Sequence, residues 1–288
     1  MKSYKIIPLL ALVAVMACQP QAKSQPQEVT SVEGTDELGW KLEQQVVKDV
    51  DNLQFTFPAE GYAYENREAF VKECQEAIKS NCKTLEVDEY TEVIKIRFVR
   101  SRAEMFRHVG MEASGTSNSW LKEVHLLATT DKESPEADKI IKPPIKHELM
   151  HMMSNILWTY PQPEMNWMNE GLATLAEDNC NGYRVSEIYR YMLENNLLYP
   201  MDSLSSDFYA TDEMIGYHQS AYITQYLKET YGTDKLRDFW QKGFAGFEKV
   251  YGKSWNEMEK DINRKVREMY AEVPDINWDL FSEGCKSQ

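Results

Sequence analysis

The run His147-Glu148-Leu149-Met150-His151 places two imidazoles and a carboxylate within one turn and a half of chain, in a sequence with only five histidines. On a helix, residues i and i+4 share a face, so the two rings can converge on one cation. Glu148 projects beside them, where a carboxylate can take a proton from a metal-bound water. Glu170 follows nineteen positions after His151 in Trp167-Met168-Asn169-Glu170-Gly171-Leu172-Ala173, with Pro161 and Pro163 breaking the chain between. The pattern predicts a helix, a turn, and a second helix that brings Glu170 back to the first. A catalytic zinc takes three protein ligands and an open position, and His147, His151 and Glu170 supply that set for one Zn2+ per chain. The chemistry implied is hydrolysis with Glu148 as the base. A structural zinc would have no use for Glu148 and usually takes four protein ligands.

These side chains need elements to hold them. Residues 92–99 alternate apolar and polar as a half-buried strand does. Residues 102–109 read as a helix, and residues 120–128 as a further strand. The first zinc helix lies within 140–159, with Pro143-Pro144 marking its start. The second spans 165–178 and carries Glu170. Downstream, helical patterns cover 186–195, 211–231, 234–244 and 254–271. Met150, Met152, Met153, Met165 and Met168 crowd the motif at spacings that suit core packing. The expected fold is α+β, a small mixed β-sheet plus the zinc-binding helices and a C-terminal helical lobe, with the cleft between. One domain is expected over 38–288, its α/β part ending at about residue 160.

The motif pair, an H-E-x-x-H followed after eighteen residues by Glu170 in N-E-G-L-A, resembles the gluzincin metallopeptidases, and its spacing resembles the aminopeptidase N branch. More of the chain is similar to the short peptidase MA-like proteins of that clan, over about residues 89–270. The resemblance implies a zincin-like fold. It makes 120–128 the edge strand above the zinc cleft, where an extended peptide can pair as an added strand. It also implies that the helix beginning near Tyr217-His218 faces the metal, so Tyr217 and His218 are the expected stabilisers of a developing oxyanion. The metzincin pattern is absent, since Ser154 and Leu157 stand where its Gly and His would be. Thermolysin-like enzymes carry an Asp four residues after the glutamate ligand; Thr174 stands there. No Gly-x-Met-Glu-Asn run is present to grip a free amino terminus, which favours an endopeptidase over an aminopeptidase.

The start of the chain reads as an address. Lys2 and Lys5 precede an apolar run over 6–17, too short to span a bilayer and suited to a signal peptide, here 1–17. Val15-Met16-Ala17-Cys18 looks like a bacterial lipobox, with Cys18 the lipidated residue, and Gln19 favours the outer membrane or cell surface. Residues 18–37, rich in Gln, Ser and Pro, read as a flexible tether. Cys74, Cys82, Cys180 and Cys285 remain for an oxidising compartment, and three pairings are open. Cys74 with Cys82 closes most locally, which leaves Cys180 with Cys285; buried free thiols are the other reading. The net charge of −14 becomes −16 once Lys2 and Lys5 leave with the signal, which excludes nucleic acid as a partner. Expected partners are a peptide or protein substrate and a membrane reached through the lipid anchor. Two other readings fit the same residues: a zinc-binding envelope lipoprotein with a binding or assembly role, and a hydrolase of a non-peptide or cell-wall amide.

Overall fold

A computed structural model of the chain describes residues 29–30, 44–130 and 142–285. The signal-peptide and lipobox expectations, Cys18 included, lie outside the described residues. The chain first builds a sheet from β1 (Val29–Thr30), β2 (Gln45–Val50), β3 (Leu53–Pro58), β4 (Ile94–Val99), β5 (Gly115–Asn118) and β6 (Glu123–Leu127). Their order is β1-β2-β3-β4-β6-β5, with β3, β4 and β6 parallel and the other pairs antiparallel. Val29 and Thr30, assigned by composition to the tether, pair with Val46 and Gln45 instead. Hairpin β2–β3 turns at Asp51, whose φ of 53° is one that Asp tolerates.

Two parallel strands need a crossover, and a helix that the sequence pattern had not suggested supplies it. After the short α1 (Tyr62–Glu65), α2 runs Arg67–Leu85 and buries Phe70, Val71, Cys74, Ala77, Asn81, Cys82 and Leu85 along one face. Phe70 stacks on Phe98 at 4.8 Å and Phe98 on Phe57 at 4.9 Å, which fixes this helix to the sheet. Cys74 and Cys82 are free, buried thiols, so the expected Cys74–Cys82 bridge does not form. Eight residues along one helix span about 12 Å, well beyond the Cα separation a disulfide allows. The 102–109 helix is α3 (Arg102–Val109), capped by the Ser101 side chain, which accepts from the Glu104 amide.

The second correction concerns the sheet edge. Residues 120–128 contribute β6, which lies inside the sheet, while the edge beside it is β5. Trp120 and Leu121 belong to the exposed turn between the two, where Asn118 Oδ1 accepts from both their amides.

Below the sheet runs α4 (Ile145–Trp158), starting directly after Pro143-Pro144. Its two ends are held by other layers. Buried Asn81 of α2 donates to the Lys146 carbonyl at 3.0 Å in the first turn. At the far end, Trp240 Nε1 donates to the Thr159 carbonyl and Gln241 Nε2 to that of Trp158, both at 2.9 Å, satisfying carbonyls a helix terminus leaves open. The methionines 150, 152, 153, 165 and 168 are all fully buried, as core packing predicts.

The helical lobe follows: α5 (Asn166–Glu177), α6 (Val185–Glu194), α7 (Met201–Ser206), α8 (Glu213–Tyr231), α9 (Thr233–Lys242), α10 (Phe247–Tyr251), α11 (Trp255–Met269) and α12 (Trp278–Ser282). Trp167, Phe239, Phe247 and Trp255 interlock with ring centroids 5.0–6.4 Å apart and form much of its core. Helix α5 lies so close to α8 that a Cβ on Gly171 would sit 2.6 Å from the Ser220 backbone. Cys180 and Cys285 are joined by a disulfide. The architecture is the expected α+β one, a mixed sheet followed by helices, with α4 between them.

Candidate metal centre

Helix α4 presents His147 and His151 from successive turns of one face, and α5 brings Glu170 to meet them. His151 Nε2 lies 3.1 Å from His147 Nε2 and 3.1 Å from Glu170 Oε2, and His147 Nε2 lies 3.4 Å from that same oxygen. Ligands at 2.0–2.1 Å from a tetrahedral ion are about 3.3 Å apart, so the three atoms have the spacing of one face of a zinc tetrahedron. The donor set fits the ion chemically as well. His151 Nδ1 donates to Asn169 Oδ1 at 3.0 Å, which leaves its Nε2 lone pair directed at the cluster. Three electron-pair donors converging in a buried space are mutually repulsive unless a proton or a cation lies among them.

The electrostatics record that demand for positive charge. Burial alone would lower the His151 ring, but Glu170, Glu148 and the bond to Asn169 outweigh it and raise the ring to about 9. Burial would likewise raise Glu170, yet the two imidazoles outweigh it and hold the carboxyl far below the usual carboxylate range. Glu148 differs: burial dominates, and its carboxyl is pushed up despite the neighbouring histidines. A carboxyl with raised affinity for a proton suits a base that must also give that proton back. Edge strand β5 passes directly over it, since a Cβ on Gly115 would meet Glu148 Cγ at 2.7 Å and Oε1 at 2.8 Å.

Tyr217 and His218 part company. Adjacent residues on a helix point about 100° apart. The Tyr217 ring faces the cluster, stacked on the His147 ring at 6.3 Å with an interplanar angle of 18°. His218 faces away and packs on Phe281 at 5.0 Å, with Nδ1 donating to the Met214 carbonyl at 2.8 Å. The expectation that His218 serves the metal site is therefore corrected; the helix that supplies one residue removes the next. Two partners escaped the sequence reading. Tyr209, on a 3-10 turn (Phe208–Ala210) before α8, donates its hydroxyl to Glu170 Oε1 at 2.9 Å. Asn169, inside the quoted N-E-G-L-A run, holds the His151 imidazole. Burial, with Glu170 nearby, pushes Tyr217 well above its ordinary value, so it remains a hydroxyl donor at neutral pH.

Residues 138–262 match the family model of the Peptidase MA superfamily. That stretch contains all three candidate ligand residues, Glu148, Asn169, Tyr209 and Tyr217. The match supports a zincin-like peptidase. Among solved structures, the chain is similar to an aminopeptidase N family protein from Idiomarina loihiensis, at 11% identity and a TM-score of 0.36. The likeness covers 83% of this chain and 46% of that one, so the chain spans about half the length of that protein. No curated protein matches. Among the described residues, no helix is long and apolar enough to cross a membrane.

Proposed function

We propose that the chain is a zinc-dependent endopeptidase of the bacterial cell envelope, tethered to the membrane through Cys18. The observation that carries the reading is the triad of ligand atoms 3.1–3.4 Å apart with the Glu148 carboxylate held beside it. What zinc would supply there, bound by His147, His151 and Glu170, is Lewis acidity toward a carbonyl oxygen and the attacking water. Glu148 takes a proton from that water and hands it to the leaving amine. In this reading Tyr217, whose ring stacks on that of His147, donates its hydroxyl proton toward the oxyanion, while Tyr209 and Asn169 hold Glu170 and His151 in place. The outer edge of β5 is unpaired among the described residues, and an extended peptide laid along it would run past Glu148.

The contact between β5 and the base yields a sharp expectation. Gly115→Ala adds a carbon into space held by Glu148 and the Pro144 ring, so the carboxylate must shift. We expect kcat to fall about 10–100-fold with bound zinc unchanged, as misplacement by an ångström commonly does. Unaltered kcat in a zinc-replete Gly115→Ala protein would remove β5 from the account of how Glu148 is positioned.

The overall reading is tested by digesting a diverse peptide library with the zinc-loaded protein and mapping the cuts by mass spectrometry. Internal cuts that vanish on chelation and return with Zn2+ are the expected result. Purified peptidoglycan runs in parallel: cleavage there alone would move the assignment to a cell-wall amide, and a zinc-loaded protein that cuts neither would favour a binding role.

A further inference from the structure

On the far side of α8, a second group of metal-binding atoms is assembled from three separate elements. Cys180, His218 and Cys285 each bring one ligand atom to within 4.8 Å of the others. His218 is buried, and its Nδ1 proton is committed to the Met214 carbonyl at 2.8 Å. Its Nε2 lone pair therefore points at the disulfide, 3.9 Å from the Cys285 sulfur. Neither sulfur of a disulfide carries a proton, so this contact is not a hydrogen bond. A buried, neutral imidazole with one nitrogen anchored to a carbonyl and the other presented to two sulfurs has the form of a metal ligand with its supporting partner. Burial, opposed by the bond to Met214, takes the ring down to about 4 and keeps it neutral at physiological pH.

We propose that opening the Cys180–Cys285 disulfide creates a second zinc site, with the two thiolates and His218 Nε2 as its ligands. The pieces stay together without the S–S bond. Cys180 is fixed by paired backbone bonds with Tyr183, both 3.0 Å. The segment bearing Cys285 is held by Asn181 Nδ2, which donates to the Gly284 carbonyl at 3.0 Å, and by the buried Phe281 ring, which lies against His218. Cys285 is exposed, so a reductant can reach it while Cys180 stays buried. The reductant required is a dithiol. One of its thiolates attacks the Cys285 sulfur, the S–S bond breaks, and Cys180 leaves as a thiolate. The second thiolate of the reductant attacks the mixed disulfide, freeing Cys285 and leaving the reductant oxidised. The two thiols lose their protons when a divalent cation binds, and neutral His218 loses none. Two sulfurs and one imidazole nitrogen are a donor set that selects Zn2+ over hard cations.

Cobalt(II) distinguishes this site from the first, whose ligands contain no sulfur. The full protein is reduced with dithiothreitol, desalted under argon and titrated with Co2+, following thiolate-to-cobalt charge transfer in the near ultraviolet. The expected result is a charge-transfer band and one further equivalent of Co2+ in the reduced protein, with neither in the oxidised one. His218→Gln should weaken that binding at least about tenfold. Cys285→Ser, compared with the reduced unmodified protein that lacks the same S–S bond, should abolish the band, whereas a band arising from the free thiols Cys74 and Cys82 would persist in it. Equal cobalt uptake in both redox states, a band that survives Cys285→Ser, or a His218→Gln titration matching the unmodified protein would overturn the proposal.

Discussion

Glu148→Gln is expected to leave zinc bound and to lower peptide hydrolysis by about three orders of magnitude, the scale of a lost general base. Glutamine fills the same space beneath β5, so the close fit against Gly115 persists. It has no carboxylate to receive the proton from the attacking water. Stability should not suffer, because burial already disfavours the charged form of Glu148. The measurement pairs kcat with zinc content and a thermal melt on the same preparation. Activity within tenfold of the unmodified enzyme, with zinc at one equivalent, would show that the proton goes elsewhere and that Glu148 is not the base.

Gly171→Val is expected to cost about 2–3 kcal/mol of stability, the range for forcing bulk into a well-packed contact. The atoms a Cβ would meet are the carbonyl carbon and oxygen of Ser220, both at 2.6 Å, and backbone cannot swing aside as a long side chain can. Helices α5 and α8 would have to separate. Since α5 carries Glu170 and α8 carries Tyr217, zinc affinity should fall together with stability. Denaturant midpoints for Gly171→Ala and Gly171→Val, each with and without added Zn2+, check both effects. If the valine protein melts at the unmodified midpoint, the two helices are not packed as described.

How much of this was readable from sequence depended on whether spacing alone carried the information. The candidate ligands announce themselves because His147, His151 and the N-E-G-L-A run obey helical periodicity in a strongly apolar stretch. Helix α2 escaped notice because its buried seam includes Asn81, Cys74 and Cys82 among the apolar residues, while charged side chains fill the rest. Strand β5 is Gly-Thr-Ser-Asn, which reads as a turn; only its ladder with β6 makes it a strand and moves the edge away from 120–128. Tyr209 sits 39 positions from Glu170 on an irregular turn, and no local pattern reaches that far. The Cys180–Cys285 pair was among the pairings left open, whereas Cys74–Cys82 failed because closeness in sequence was taken for closeness in space along what proved to be a rigid helix.

The clamping of α4 has a consequence for how the protein breathes. Most helices fray from their ends, so their terminal amides exchange with solvent far more easily than the rest of the fold. Here the first turn is pinned from the sheet side by Asn81, and the last carbonyls are pinned from the helical lobe by Trp240 and Gln241. Neither end can loosen unless one lobe gives way. The His151 amide, inside the helix, should therefore be among the slowest to exchange, opening only with the whole domain, so that the helix carrying the candidate ligands keeps its shape whether or not a metal is bound.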